Sequence, residues 1–90
     1  MANEFSVRTT DQLPRLLQAF RKEAGLSQAE VALRMGISQQ TFSALERNAD
    51  RVSAGRLLKL LGVLGVDLVL RKPAPQPEQA LRDPAGRPLW

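Results

Sequence analysis

Neither cysteine nor histidine occurs among the 90 residues of this chain. Disulfide stapling, thiol chemistry and metal sites of the His/Cys kind are therefore excluded, and no metal or cofactor is expected. A domain this small has a marginal core, which leaves dimerisation as its obvious support. Long apolar runs are also missing. No stretch approaches the ~20 residues that a membrane span needs, and no signal-peptide pattern opens the sequence. The expectation is a cytoplasmic protein with no membrane partner. Paired acids are lacking too: Glu4, Asp11, Glu23, Glu30, Glu46, Asp50, Asp67, Glu78 and Asp83 are scattered over caps and loops, so no catalytic cleft is suggested and no enzyme is expected. What the chain has instead is positive charge. A formal +4 and a pI near 10.7 suit a polyanionic partner.

The stretch around which the rest is organised runs from Gly25 to Asn48, GLSQAEVALRMGISQQTFSALERN. It reads as two short helices joined at Gly36. Ser27 can cap the first helix while Glu30 returns the bond, and Val31, Ala32 and Met35 supply an apolar face. Gly36 gives the turn its backbone freedom, Ile37 plugs the corner, and Ser38 caps the second helix. With Phe42 and Leu45 inward, Gln40, Ser43, Ala44 and Arg47 face out, and Gln39 lies at the exposed start of the same helix. Glutamine amides match the donor–acceptor pair on adenine, and Arg47 can meet guanine or phosphate. Double-stranded DNA is therefore the expected partner and these five residues the expected base readers. The competing reading is an αα-hairpin with a solvated glutamine face. The joint presence of capping box, turn glycine, core pair and polar outer face favours the helix-turn-helix.

The flanks are read in order. Residues 1–10, with only Phe5 and Val7 as core candidates, are expected to be a flexible arm. Asp11 is the expected cap of the first helix, with Pro14 in its first turn and Leu13, Leu16, Leu17, Phe20 and Ala24 as its apolar stripe. Ser53 is the expected cap of a fourth helix whose core face is Ala54, Leu57, Leu58, Leu61 and Leu64. Leu60 and Val63 are left on a second apolar edge, read as part of a dimer interface, or alternatively as an overfull core. After Gly65, Val66, Leu68 and Leu70 alternate with Asp67, Val69 and Arg71 at the period of a strand. A lone strand is unstable, so its partner must come from a second copy across a twofold axis. Val66, Leu68 and Leu70 thus join Leu60 and Val63 in the expected interface. Lys72 to Trp90 holds five of the six prolines and reads as a disordered tail. Its Trp90 is either a docking anchor or an incidental end.

The expected architecture is mainly α: a four-helix repressor-like helix-turn-helix domain over residues 11–65 and one strand over 66–72 pairing across a dimer. A tail over 73–90 follows.

Residues 11–66 resemble the helical domain of the XRE family, the phage-repressor type of helix-turn-helix, with the 25–48 motif close almost position by position. The resemblance implies that Gln28 holds a phosphate and that Gln39 and Gln40 touch bases. Ala44 falls on a third base-reading position and offers only a methyl. It also implies an ion pair between Arg21 and Glu46, and places Arg51 like a phosphate-touching loop cation, although a solvated arginine is the competing reading there. Ser27, Ser38 and Thr41 are assigned with Gln28 and Arg51 to the DNA backbone. The whole order of parts resembles the HipB-type antitoxins, DNA-binding partners of HipA-type kinase toxins. That implies a homodimer that represses its own operon and restrains a kinase toxin; the alternative is a free-standing XRE regulator.

Overall fold

Two serines decide where the central helices begin. Ser27 (φ −78°, ψ 164°) and Ser38 (φ −72°, ψ 156°) are extended, so their hydroxyls sit across the first turn of the helix that follows. Ser27 Oγ accepts from the Glu30 N–H at 3.1 Å and Ser38 Oγ from the Thr41 N–H at 3.0 Å. The helices that result are α2 (Gln28–Met35) and α3 (Gln39–Arg47). The Glu30 carboxylate returns the bond to the Ser27 N–H at 3.1 Å, so two orphan donors are met at one helix start. Between the helices, Gly36 takes φ 73°, ψ 31°, a left-handed backbone that costs an L-residue free energy and glycine almost none. The Ile37 N–H then donates back to the Ala32 carbonyl at 3.0 Å, closing the turn.

The computed structural model describes residues 4–73. Its remaining helices are α1 (Leu13–Glu23) before the central pair and α4 (Ala54–Leu64) after it, with short 3-10 turns at Thr10–Gln12 and Ala49–Arg51. The start of α1 differs from the expected one. Asp11 lies inside the 3-10 turn, and the side-chain oxygen of Gln12 accepts from the Arg8 and Thr9 N–H groups at 2.7 and 3.0 Å. The longer glutamine can reach back a full turn, which aspartate cannot. Ser53 caps α4 as its sequence suggests, accepting from the Arg56 N–H at 3.3 Å.

One core joins the four helices. Its fully buried side chains are Leu17 from α1, Val31 from α2, Phe42 from α3 and Leu60 from α4. Each is worth about 1.5–3 kcal/mol relative to an exposed position. Ala32, Met35, Leu45, Ala49, Leu61 and Leu64 complete the cluster, and Ile37 packs against it from the turn. Helix α2 packs against both α3 and α4, while α1 leans on α3.

The inward face of α4 corrects two expectations. Leu60, assigned above to an outer edge, is 0 % exposed, while Leu58, assigned to the core, is 51 % exposed. The buried positions Leu60, Leu61 and Leu64, with Leu57 partly buried, form an i, i+3, i+4, i+7 set. Taking Leu58 as inward rotated the helix by too much, and Ala54 is exposed for the same reason. Leu60 is a core residue and cannot face a second copy. Val63 is only partly buried and packs at the margin of the core.

Beyond Gly65, residues 66–73 run without helix or strand, and Leu68, Val69 and Leu70 are 54, 72 and 92 % exposed. No strand is present among the described residues, and the one expected over 66–72 is not formed within this chain. Residues 4–8 run beside it along one groove, whose floor includes Leu13, Leu16, Phe20, Leu57 and Leu61. The Phe5 ring meets the Phe20 ring edge-on at 5.4 Å, and Arg71 Nη1 lies 3.4 Å from Glu4 Oε2. The expected tail from residue 74 onward, Trp90 included, lies outside the described residues.

Candidate nucleic-acid interface

Capping fixes the start of α3 and therefore what projects from it. Gln39 and Gln40 are its first two residues and both are exposed, as is Arg47, its last. Ser43 and Ala44, between them, are partly buried. The face opposite carries Phe42, Leu45 and Glu46 into the core. The two glutamine amides therefore stand on a helix that its own packing prevents from rotating.

A shallow cleft separates α3 from the start of α4. Gln40, Thr41 and Ala44 line one wall, Arg51 and Arg56 the other, with Asn48 at the end of α3. Arg51 and Arg56 are both exposed and lie beside the N-terminus of α4, where unpaired N–H groups add partial positive charge. Arg51 has one ion-pair contact, with Asp50 at 3.9 Å, and its side chain is 85 % exposed. Such a loose surface pair is worth little and leaves the guanidinium available. The Ser38 hydroxyl donates to Thr41 Oγ1 at 2.8 Å, so these two side chains act as one hydroxyl pair at the start of α3.

At the start of α2 the Ser27–Glu30 box has an electrostatic effect. The Ser27 backbone N–H, and then its hydroxyl, hold the Glu30 carboxyl below its usual 4.5, with Arg34 adding to the pull. Gln28, the first residue of that helix, is partly buried. Its Nε2 donates to Glu46 Oε1 at 3.1 Å. Glu46 is 5 % exposed and meets Arg21, 8 % exposed, through Nε to Oε2 at 2.7 Å and Nη2 to Oε1 at 3.3 Å. The Arg21 Nη1 donates to the Leu26 carbonyl at 3.0 Å. This bidentate pair links α1, the loop before α2, and α3 over 25 residues of sequence.

Three of these features were not foreseen from the sequence. The amide of Gln28 shares the buried carboxylate, Arg56 joins Arg51 at the cleft, and Lys59 Nζ donates to the Met35 carbonyl at 3.2 Å, tying α4 to the last turn of α2. Lys59 and Met35 are 24 residues apart, so no local pattern reports the contact. For Arg56 a signal existed, since a cation in the first turn of α4 follows from the Ser53 cap.

The comparisons with known proteins point the same way. The Helix-turn-helix family matches residues 17–70. An uncharacterized HTH-type transcriptional regulator of Sinorhizobium fredii, y4dJ, is 46 % identical over 52 residues, covering 54 % of this chain and 68 % of that protein. Antitoxin HipB of Escherichia coli is 34 % identical over 59 residues, covering 66 % of this chain and 63 % of the antitoxin. Among solved structures, a chain of a HipA–HipB–O2–O3 complex superposes with a TM-score of 0.67 at 28 % identity, covering 77 % of this chain and 97 % of that one. No helix among the described residues is long and apolar enough to cross a membrane. The helix-turn-helix family consists of DNA-binding regulators and not enzymes, and this chain, HipB-like and of the XRE type, belongs to it.

Proposed function

We propose that this chain is a sequence-specific repressor that acts as the antitoxin of a HipBA-like pair, binding its own operator as a homodimer and restraining a kinase toxin. The observation that carries the DNA half is the start of α3, where Gln39 and Gln40 stand exposed on a helix pinned by Phe42, Leu45 and the Arg21–Glu46 pair. In this reading Gln39, Gln40, Ser43, Ala44 and Arg47 meet base edges. Ser27, Gln28, Ser38, Thr41 and Arg51 meet the backbone on either side. The exposed residues Leu68 and Leu70, with Val66 and Val63 at their base, pair with a second copy. Two reading helices are then held about 34 Å apart, the spacing of successive major grooves.

The likeness to HipB in a complex with HipA supports the toxin half. Trp90, outside the described residues, is the side chain best suited to anchor on such a partner. The likeness to y4dJ, an HTH-type transcriptional regulator, leaves a second reading, a free-standing XRE regulator.

The test has two arms. On DNA from upstream of its own reading frame, Gln40→Ala is expected to cost about 1–3 kcal/mol of affinity and far less on random DNA. Equal losses on both would remove α3 as the reading element. Pull-down of the neighbouring gene product decides the toxin: capture of a kinase, weakened by Trp90→Ala, supports the antitoxin, and a regulator that captures none is the free-standing kind.

A further inference from the structure

The buried carboxylate of Glu46 has three donors and not two. Arg21 supplies Nε and Nη2, and Gln28, 18 residues before Glu46, supplies its amide nitrogen at 3.1 Å. A carboxylate only accepts, so it dictates which end of the Gln28 amide turns inward. The nitrogen carries a second N–H that this bond does not use. Gln28 also opens α2, where the N–H groups of Glu30 and Val31 are taken by the Ser27 hydroxyl and carbonyl, while those of Gln28 and Ala29 precede the first helical acceptor.

We infer that Glu46 is a positioning residue for DNA: locked by Arg21, it holds the Gln28 amide so that its second N–H and the first N–H groups of α2 meet one phosphate together. A free glutamine would lose rotamer freedom on binding, and here that freedom is already lost in the folded chain. The ion pair thereby joins the base-reading helix to the backbone grip, because Glu46 belongs to α3 and Gln28 to α2. This inference rests on the reading that Gln28 meets a phosphate.

The experiment uses the full chain and a random-sequence duplex, since a phosphate contact is indifferent to sequence. Affinity is measured against salt for Gln28→Ala, for the apolar pair Arg21→Met/Glu46→Leu, and for all three changes together. Replacing both members of a buried pair by apolar side chains leaves no stranded charge, so the fold is expected to survive. Gln28→Ala is expected to weaken binding about 3–10-fold. The apolar pair is expected to weaken it at least as much, and adding Gln28→Ala to that pair to change nothing further. The salt slope is expected to stay the same throughout, because no phosphate-bound cation is removed. If Gln28→Ala weakens binding equally in both backgrounds, Gln28 grips without Glu46 and the inference fails while the phosphate contact stands. If Gln28→Ala has no effect in the natural chain, the phosphate contact itself fails. A second measurement needs no variant: the side-chain amide signals of Gln28 in the DNA-free protein. One proton displaced and protected supports a held amide, and two signals at free-glutamine positions overturn it.

Discussion

The two ends of α4 face different problems. At its start and along its inner side, every element of the helix-turn-helix is closed within one chain: serine caps, a glycine turn, a core side chain from each helix, and a buried carboxylate with three donors. Past Gly65 the chain carries apolar residues to the surface, with Leu70 92 % exposed. The reading unit is closed by its own contacts, while the segment after it keeps apolar side chains exposed. In the proposed dimer, this exposed apolar surface is what a second copy would cover.

The sharpest way to break this contrast is Glu46→Gln. It strands the Arg21 guanidinium in the core, and is expected to cost about 3–5 kcal/mol, seen as a lower melting temperature at fixed protein concentration. An unchanged melting temperature would mean the pair is not what closes the reading unit. Next in size is Leu68→Pro, which removes a ladder donor and an apolar side chain worth about 1.5–3 kcal/mol when covered. Sedimentation is expected to give a monomer, or a dimer that dissociates on dilution, with weaker DNA binding. A tight dimer would place the interface elsewhere on the molecule.

Gly36→Ala separates backbone strain from packing. Nothing lies within 4 Å of where its Cβ would sit, so only the positive φ of 73° resists the change. The expected cost is about 1–2 kcal/mol in thermal melting, with dimerisation untouched. A loss of dimer in this variant would show that the two regions are coupled. The smallest expected effect is electrostatic. The Glu30 carboxyl is held below 4.5 by Ser27, so its ionised form stabilises the fold above that value and the contribution is lost as pH falls through the lowered folded value. The melting difference between the natural chain and Glu30→Gln is therefore expected to be level near neutral pH and to close on acidification below about 4.5. A difference independent of pH would mean that the hydrogen bond, and not the charge, carries the cap.

Much of this was legible because it is local. Ser27, Glu30, Gly36 and Ser38 act on neighbours within four residues, and Phe42 and Leu45 declare the buried face of α3 by spacing alone. The rotation of α4 was not. Its leucines occupy five of eight positions from Leu57 to Leu64, so more than one stripe satisfies the period. Only the neighbours it packs against select Leu60 over Leu58.

The amino-acid sequence by itself determined where the helices of the reading unit begin and turn, which side of α3 is polar, and that an apolar segment follows Gly65. These follow from hydrogen-bond reach, backbone sterics and periodicity, which act over a few residues. Only the tertiary structure decided that Leu60 is core, that Lys59 holds the end of α2, and that Gln28 shares the carboxylate of Glu46 with Arg21. Those groups stand 18 to 25 residues apart. They meet because burying the apolar faces of four helices leaves one arrangement in which the buried charges are also satisfied.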